Sequence, residues 1–232
     1  MRQGRGRFAQ SVDFDLAGTV WRALPQLAAL WLDARWLVVA DVHFGKAATF
    51  RARGVPVPEG TTRANLARLT ALIEATQPRR LVFLGDLLHA REARGEETMR
   101  QVAQWRALHA GVPMTLVEGN HDRHAGAPPP VLGIEVVAEP WLVQGIALAH
   151  HPQPMASAGV VTGHLHPCVR LHGGANDSLR LPCFWQRAGL LTLPAFGEFT
   201  GGASIEREAG DRVVAVADGR LIEIPAGGRR GA

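Results

Sequence analysis

Five short apolar runs in this chain each stop in side chains that can bind a metal, and no other feature limits its fold so tightly. "WLVVADVHF" passes from its run into Asp41 and His43, and "RLVFLGDLLH" into Gly85, Asp86 and then His89. "MTLVEGNHD" ends in Asn120, His121 and Asp122, "GIALAHH" in His150 and His151, and "GVVTGHLH" in His164 and His166. Apolar runs of this length, bounded by Gly and polar residues, read as buried strands. In open α/β sheets, ligands bind outside the carboxyl ends of strands. Five such ends on one rim would bring all these side chains to one place.

Two helical patterns separate the early runs. "TTRANLARLTALIEATQ" puts Leu66, Leu69, Leu72 and Ile73 on one face, with Thr61 or Thr62 as the N-cap. "EETMRQVAQWRALHAG" repeats Met99, Val102, Trp105 and Leu108, with Gly111 as the stop. Alternating strand and helix predicts an α/β first half with a largely parallel sheet. From about Pro128 closely spaced strands follow, including "GLLTLP" and "VVAVADGRLIEIP", where Asp218-Gly219 marks a hairpin. An apolar content of 47% supports a sizeable core. The 232 residues fit one domain of two packed sheets over 1–225, with a loose tail over 226–232.

Charge narrows the function little. The net charge of +4 rests almost wholly on arginine, because Lys46 is the only lysine. This balance permits a polyanionic partner without requiring one. Cys168 and Cys183 form no CxxC pair and flank a predicted hairpin, "VRLHGGANDSLRLP". A register centred between Ala175 and Asn176 would set them opposite each other as reduced thiols, which suits a cytoplasmic protein. The basic first residues run into Asp13 and Asp15, which does not fit a secretory signal, and no apolar run is long enough to span a bilayer. A cytoplasmic location without a membrane partner is the expectation.

The donor set points to a reaction class. Two carboxylates, one amide oxygen and four imidazoles, with no thiolate, suit Mn²⁺, Fe or Zn²⁺ better than Ca²⁺ or copper(I). Seven ligands exceed one tetrahedral ion and fit two divalent metal ions sharing a carboxylate, about 3.5–4 Å apart, as in phosphoester hydrolysis. Each piece alone has a plainer explanation, since Gly-Asp and Gly-Asn are ordinary turn formers. Their ordered conjunction argues for a site. His109, at a helix end, reads as a structural imidazolium that complements the dipole. The six Trp and eight Phe are scattered, so core packing is expected for most of them rather than a stacking platform.

The ordered set "DVH", "GD", "GNHD", "H" and "GHLH", between about residues 36 and 166, resembles the calcineurin-like metallophosphoesterases. The resemblance implies an α/β fold, a two-sheet αββα sandwich. It implies one metal held by Asp41, His43, Asp86 and His166, and another held by Asp86, Asn120, His150 and His164, with Asp86 as the bridge. His121 would contact the phosphoryl group and act as general acid or transition-state stabiliser beside Asn120 and Asp86. Many family members carry an acid three residues after the bridging Asp to orient this histidine. Here His89 stands in that place, so either Asp122, the candidate orienter, or another group orients His121, or its role is weaker than in the wider family. His150 is preferred to His151 as the ligand, and His151 is expected at the rim.

A closer similarity covers nearly the whole chain. "VADVHFGKAATFRARGVPVPEGTT", "GNHDRHAG", "GHLHP", "LPCFW" and "LPAFGEFTGG" look like the ligase-associated metallophosphoesterases, the PdeM family. That implies a Mn²⁺-preferring phosphodiesterase, a DNA endonuclease favouring single strands, working in DNA repair as a homodimer. Functional association with a DNA ligase and a helicase is implied with it. Substrate contacts are expected from Arg51, Arg123, His124 and His89, with Arg53, Arg91 and Arg94 near the same rim. The competing functions are a phosphomonoesterase or cyclic-nucleotide phosphodiesterase on the same site, or a non-catalytic interaction scaffold. Every ligand position is filled by a competent side chain, which argues against the scaffold.

Overall fold

The computed structural model describes residues 11–225 apart from 53, 56, 58, 59 and 174–176. Arg53, the centre of the cysteine hairpin and the expected tail over 226–232 thus lie outside the described residues. The first sheet holds β1 (Val12–Leu16), β2 (Thr19–Leu24), β3 (Ala28–Trp31), β4 (Trp36–Ala40), β5 (Arg80–Leu84), β6 (Met114–Val117) and β7 (Ile134–Val137), side by side in chain order. β4 to β7 run parallel, while β1 to β4 form an antiparallel meander. The expectation of a largely parallel sheet therefore holds only from β4 onward. β2 and β3 escape sequence inspection because Pro25 splits one apolar stretch into two short strands, with Leu27 at φ 63 in the turn between them.

Helices α1 (Lys46–Ala52), α2 (Thr61–Thr76) and α3 (Glu96–Leu108) lie in the connections from β4 to β5 and from β5 to β6. Leu37 and Val39 of β4 pack with Leu66, Leu69, Leu72, Val102 and Trp105 of α2 and α3. Val38 and Ala40 face the other way, into a core shared with Phe14, Trp21, Leu148, Val161, Phe184 and Leu191. Burial on both faces is why "WLVVA" shows no polar alternation.

Three local expectations need correction. Gly60, at φ 90, is the N-cap of α2; Thr61 is its first residue, and the Thr62 hydroxyl instead accepts the Gly45 N–H at 3.3 Å. Leu108 is 82% exposed. A strict i+3 repeat slips back about 60° per step on an α-helix, so by Leu108 it has left the face that Val102 and Trp105 bury. His109 lies 3.0 Å from the Thr70 hydroxyl, and burial pushes its pKa down. It serves as a neutral hydrogen-bonding group, not as an imidazolium on the dipole.

The second sheet contains β8 (Trp141–Val143), β9 (Ile146–Ala149), β10 (Gly159–Thr162), β11 (Pro167–His172), β12 (Ser178–Arg187), β13 (Leu190–Thr192) and β14 (Ala203–Ser204), with β15 (Arg212–Ala217) and β16 (Arg220–Ile224) added beside β12. Their spatial order is β14-β11-β12-β13-β10-β9-β8. The two sheets pack face to face as a mixed α/β sandwich, the expected fold class. The Asp218-Gly219 turn closes β15 onto β16 as expected. The cysteine register is one residue off: Cys168 faces Pro182, so Cys183 projects from the opposite side of its strand. Both thiols are free and buried, and burial pushes Cys183 up to about 12. Among the described residues no helix is long and apolar enough to cross a membrane.

A row of indoles ties the sheets together. Trp21 stacks on Trp31 at 5.0 Å, Trp31 meets Trp36 edge-on at 5.6 Å, and Trp36 stacks on Trp141 of β8 at 5.3 Å. Trp31 is fully buried at the centre of this row. Trp31→Ala is expected to lower the unfolding free energy by about 3–5 kcal/mol, read from urea melts by circular dichroism. A loss below about 1 kcal/mol would show that the row does not brace the sandwich.

Candidate metal centre

β4, β5, β6, β9 and β10 all end at one rim, and the residues that follow are stitched across it by backbone bonds. The His43 N–H donates to the Asp86 carbonyl and the Phe44 N–H to Leu87, each at 2.8 Å. The Gly163 N–H reaches the His150 carbonyl at 3.2 Å, and the Gly197 N–H reaches Asp41 at 3.1 Å. Asp41, His43, Asp86, His164 and His166 all adopt left-handed φ values between 46 and 67. Asp and His tolerate that region better than most residues, at a cost of about 1–3 kcal/mol each. Both members of the Asp-x-His and His-x-His pairs adopt it, so the chain curls at the rim instead of running on. Gly85 makes room: a Cβ there would sit 2.1 Å from His150 Nδ1.

The ligating atoms face inward in two sets. His150 Nδ1 lies 3.1 Å from the Leu84 carbonyl, which can only accept, so the proton sits on Nδ1 and Nε2 keeps its lone pair. That Nε2 is 2.9 Å from Asn120 Oδ1, 3.0 Å from His164 Nδ1 and 3.5 Å from Asp86 Oδ1. Asp41, His43 and His166 make the neighbouring set, with one ligand atom each within 4.8 Å of the others, and Asp41, Asp86 and His150 link the two. His43 Nε2 lies 3.7 Å from Asp86 Oδ2 and His166 Nε2 lies 3.3 Å from Asp41 Oδ1. Asp41 Oδ1 is nonetheless buried without a well-directed hydrogen bond. A buried carboxylate oxygen with no donor, among lone pairs that converge, is the environment a cation completes. The donor set therefore fits a divalent metal. Burial holds the pKa of His43 well below its usual value and that of His164 below it, which leaves both rings as neutral ligands. Burial pulls His166 down too, but the neighbouring Asp41 carboxylate prevails and its pKa is raised.

The "GNHD" segment is no mere turn. Asn120 begins a short helix, α4 (Asn120–Ala125), and Gly119 caps it. Asp122 does not orient the His121 ring. Its buried carboxylate accepts the backbone N–H groups of Asp86 at 2.7 Å, Leu87 at 2.9 Å and Gly119 at 2.9 Å. Burial pushes its carboxyl up to about 6 even against these donors. His121 is held by the His89 carbonyl, 2.8 Å from Nδ1, while the two rings stack at 5.2 Å. The missing acid after Asp86 is thus replaced by a main-chain oxygen at the same place in the chain. His89 Nδ1 also lies 3.4 Å from His43 Nδ1, so His89 supports two site histidines.

Sequence inspection missed two contributors. Glu139 accepts the N–H groups of His150 and His151 at 2.9 Å each, and its other oxygen lies 2.7 Å from His151 Nδ1. No motif surrounds it. His151 also completes a metal-capable group with His150 and His164, closer to the centre than a rim role suggested. Lys46, half-buried, has its pKa lowered by burial and drawn up by Asp86 and Asp41, so its ammonium stands in their field. Its signal was its uniqueness among 25 basic residues, so near Asp41.

The other expected residues take varied places. Arg123 pairs with Glu118 at 3.3 Å and approaches Glu139 at 3.6 Å. His124 turns back to the Asn120 carbonyl, and Arg51 is exposed in the last turn of α1. Arg91 and Arg94 are not free surface charges, because they donate to the carbonyls of His124, Ala125 and Ala127 and so anchor the end of α4.

Together these features define a metal-dependent phosphoester-cleaving centre on a two-sheet sandwich. The family model for calcineurin-like phosphoesterases matches residues 34–195, and the chain belongs to that family. It is similar to the nuclease MPE of Pseudomonas putida, with 41% identity, coverage of 93% of this chain and 100% of that one, and a TM-score of 0.83. This likeness agrees with the ligase-associated branch that the sequence resembles. YfcE, a phosphoesterase from E. coli, matches at 16% identity over 83% of this chain and 99% of its own, with a TM-score of 0.42. A protein of unknown function from Aquifex aeolicus matches at 16% identity over 61% of this chain and 81% of its own, with a TM-score of 0.36. No curated protein sequence matches significantly.

Asp122→Asn supplies an amide where at least three backbone donors need acceptors. It is expected to cost about 2 kcal/mol or more and to slow phosphoester hydrolysis, measured by thermal melting and turnover on the same preparation. An unchanged melt would mean that Asp122 does not hold the rim.

Proposed function

We propose that this chain is a phosphodiesterase that holds two divalent metal ions, Mn²⁺ foremost, and cuts single-stranded DNA. The observation that carries the proposal is the inward convergence of Asn120 Oδ1, His150 Nε2, His164 Nδ1 and Asp86 Oδ1 beside the Asp41 set. Asp41, His43, Asp86 and His166 hold one ion; Asp86, Asn120, His150 and His164 hold the other. A bound pair supplies charge neutralisation for the phosphoryl oxygens and activation of the attacking water. Asn120 contributes a neutral oxygen, which limits negative charge where an anionic substrate must enter.

His121 donates its Nδ1 proton to the His89 carbonyl, which directs Nε2 to the site, 3.9 Å from Asp86 Oδ2. As the imidazolium it binds the phosphoryl group through its Nε2–H and hands that proton to the leaving oxygen, returning to the neutral ring with its proton on Nδ1. The Lys46 ammonium adds positive charge on the same side. Arg51, Arg123, His124 and His89 line the approach as secondary substrate contacts. Nucleic acid is the favoured substrate because the 41%-identical relative is described as a nuclease. The likeness to the ligase-associated branch extends the proposal to DNA repair, alongside a ligase and a helicase, as a cytoplasmic homodimer.

Asp86→Asn is expected to abolish both metal retention, read by elemental analysis, and turnover. His121→Ala should retain metal and lose about 10²–10⁴ in kcat; full activity would remove His121 from the acid role. Rates on a phosphomonoester, a cyclic nucleotide and single-stranded DNA separate the substrate classes, and dominant monoesterase activity would contradict the proposal.

A further inference from the structure

The segment "LPAFGEFTGG" takes no part in the metal sets, yet it places an unusual side chain beside them. Phe199 is 50% exposed, and it is the one aromatic among the exposed large hydrophobic residues described. Its backbone has φ 56, a left-handed conformation that a bulky residue seldom adopts. Its loop is docked tightly at both ends. A Cβ on Gly197 would lie 2.3 Å from the Val42 carbonyl oxygen, and one on Gly202 would lie 2.3 Å from Cys168 Sγ. Between them, the Thr200 carbonyl takes the Nδ1 of His166 at 3.2 Å. The aromatic ring is therefore carried one residue from the contact that fixes a metal-set histidine.

Phe199 opens onto a cavity of about 240 Å³ lined also by His166, Leu27, Pro182, Ala195 and Arg180. The Arg180 guanidinium is held there by the Gly202 carbonyl at 3.0 Å. A hollow with an apolar floor, an exposed ring and a cation, continuous with a metal-set histidine, suits a flat aromatic group attached to a phosphate. We propose that Phe199 is the stacking platform for the nucleobase next to the scissile phosphate, with Arg180 facing the adjoining backbone phosphate. This rests on the nucleic-acid substrate proposed above. A base paired within a duplex offers no free face at such a platform, so the subsite takes an unpaired base.

The test compares cleavage of a single-stranded DNA oligonucleotide with that of an all-abasic oligomer of equal length, using the metal-loaded full chain. Wild type should prefer the base-bearing strand about tenfold in kcat/KM, the scale of one base–aromatic stack. Phe199→Ala should lose that preference and Phe199→Trp should keep it. If Phe199→Ala retained the full preference, or slowed both strands equally, the stacking role would be overturned, the second result marking a structural effect on His166. A wild type that cuts both strands equally would overturn the subsite as well. A wild type inert on both would instead overturn the nucleic-acid substrate itself, and the subsite with it.

Discussion

Two carboxylates, Asp41 and Asp86, sit buried at the same rim, each with an oxygen within 4.8 Å of the other and of a His150 nitrogen. Burying two acids side by side is costly unless positive charge is supplied between them. Without that charge burial raises the pKa of Asp86, and the proximity of Asp41 adds to the effect. The neutral His43 and His164 rings cannot supply it, and Lys46 is only one charge at the edge. The arrangement makes physical sense as a cradle built for cations, with its cost met by the rest of the fold.

That support is mostly backbone. The Asp122 carboxylate draws together the main chain after β5 and the start of α4, so the Asp86 loop and Asn120 move as one unit. Asp41 accepts the His164 N–H at 2.9 Å and thereby ties β4 of one sheet to the loop after β10 of the other. The Phe196 N–H bonds the Ala40 carbonyl at 2.8 Å, closing the sandwich at the same edge. Sheet packing and site geometry are therefore not separable here: a shift between the sheets would separate Asp41 from His164 and His166.

The strand ends and their polar residues were legible because each apolar run stops abruptly and a strand has a direction. The parallel strands β4 to β6 were also legible, since each is a continuous apolar run buried on both faces, whereas the partly exposed β7 was not. β2 and β3 of the antiparallel edge were not, because Pro25 and a left-handed Leu27 hide a turn inside an apolar stretch. Side-chain support escaped for a different reason. Glu139 and the His89 carbonyl act through hydrogen bonds between segments distant in sequence, and a main-chain oxygen has no residue signature at all. Asp122 looked like an orienter because it follows His121, but one turn of helix directs its carboxylate inward to the backbone. Phe199 stood unmarked among scattered aromatics, and exposure and backbone conformation set it apart.

The most direct test is a calorimetric titration of metal-free protein with Mn²⁺, followed by elemental analysis after dialysis. The cradle predicts about two ions bound per chain, with a higher melting temperature when loaded. Binding of none, with an unchanged melting temperature and undiminished phosphoester hydrolysis in chelator, would contradict the account at its centre.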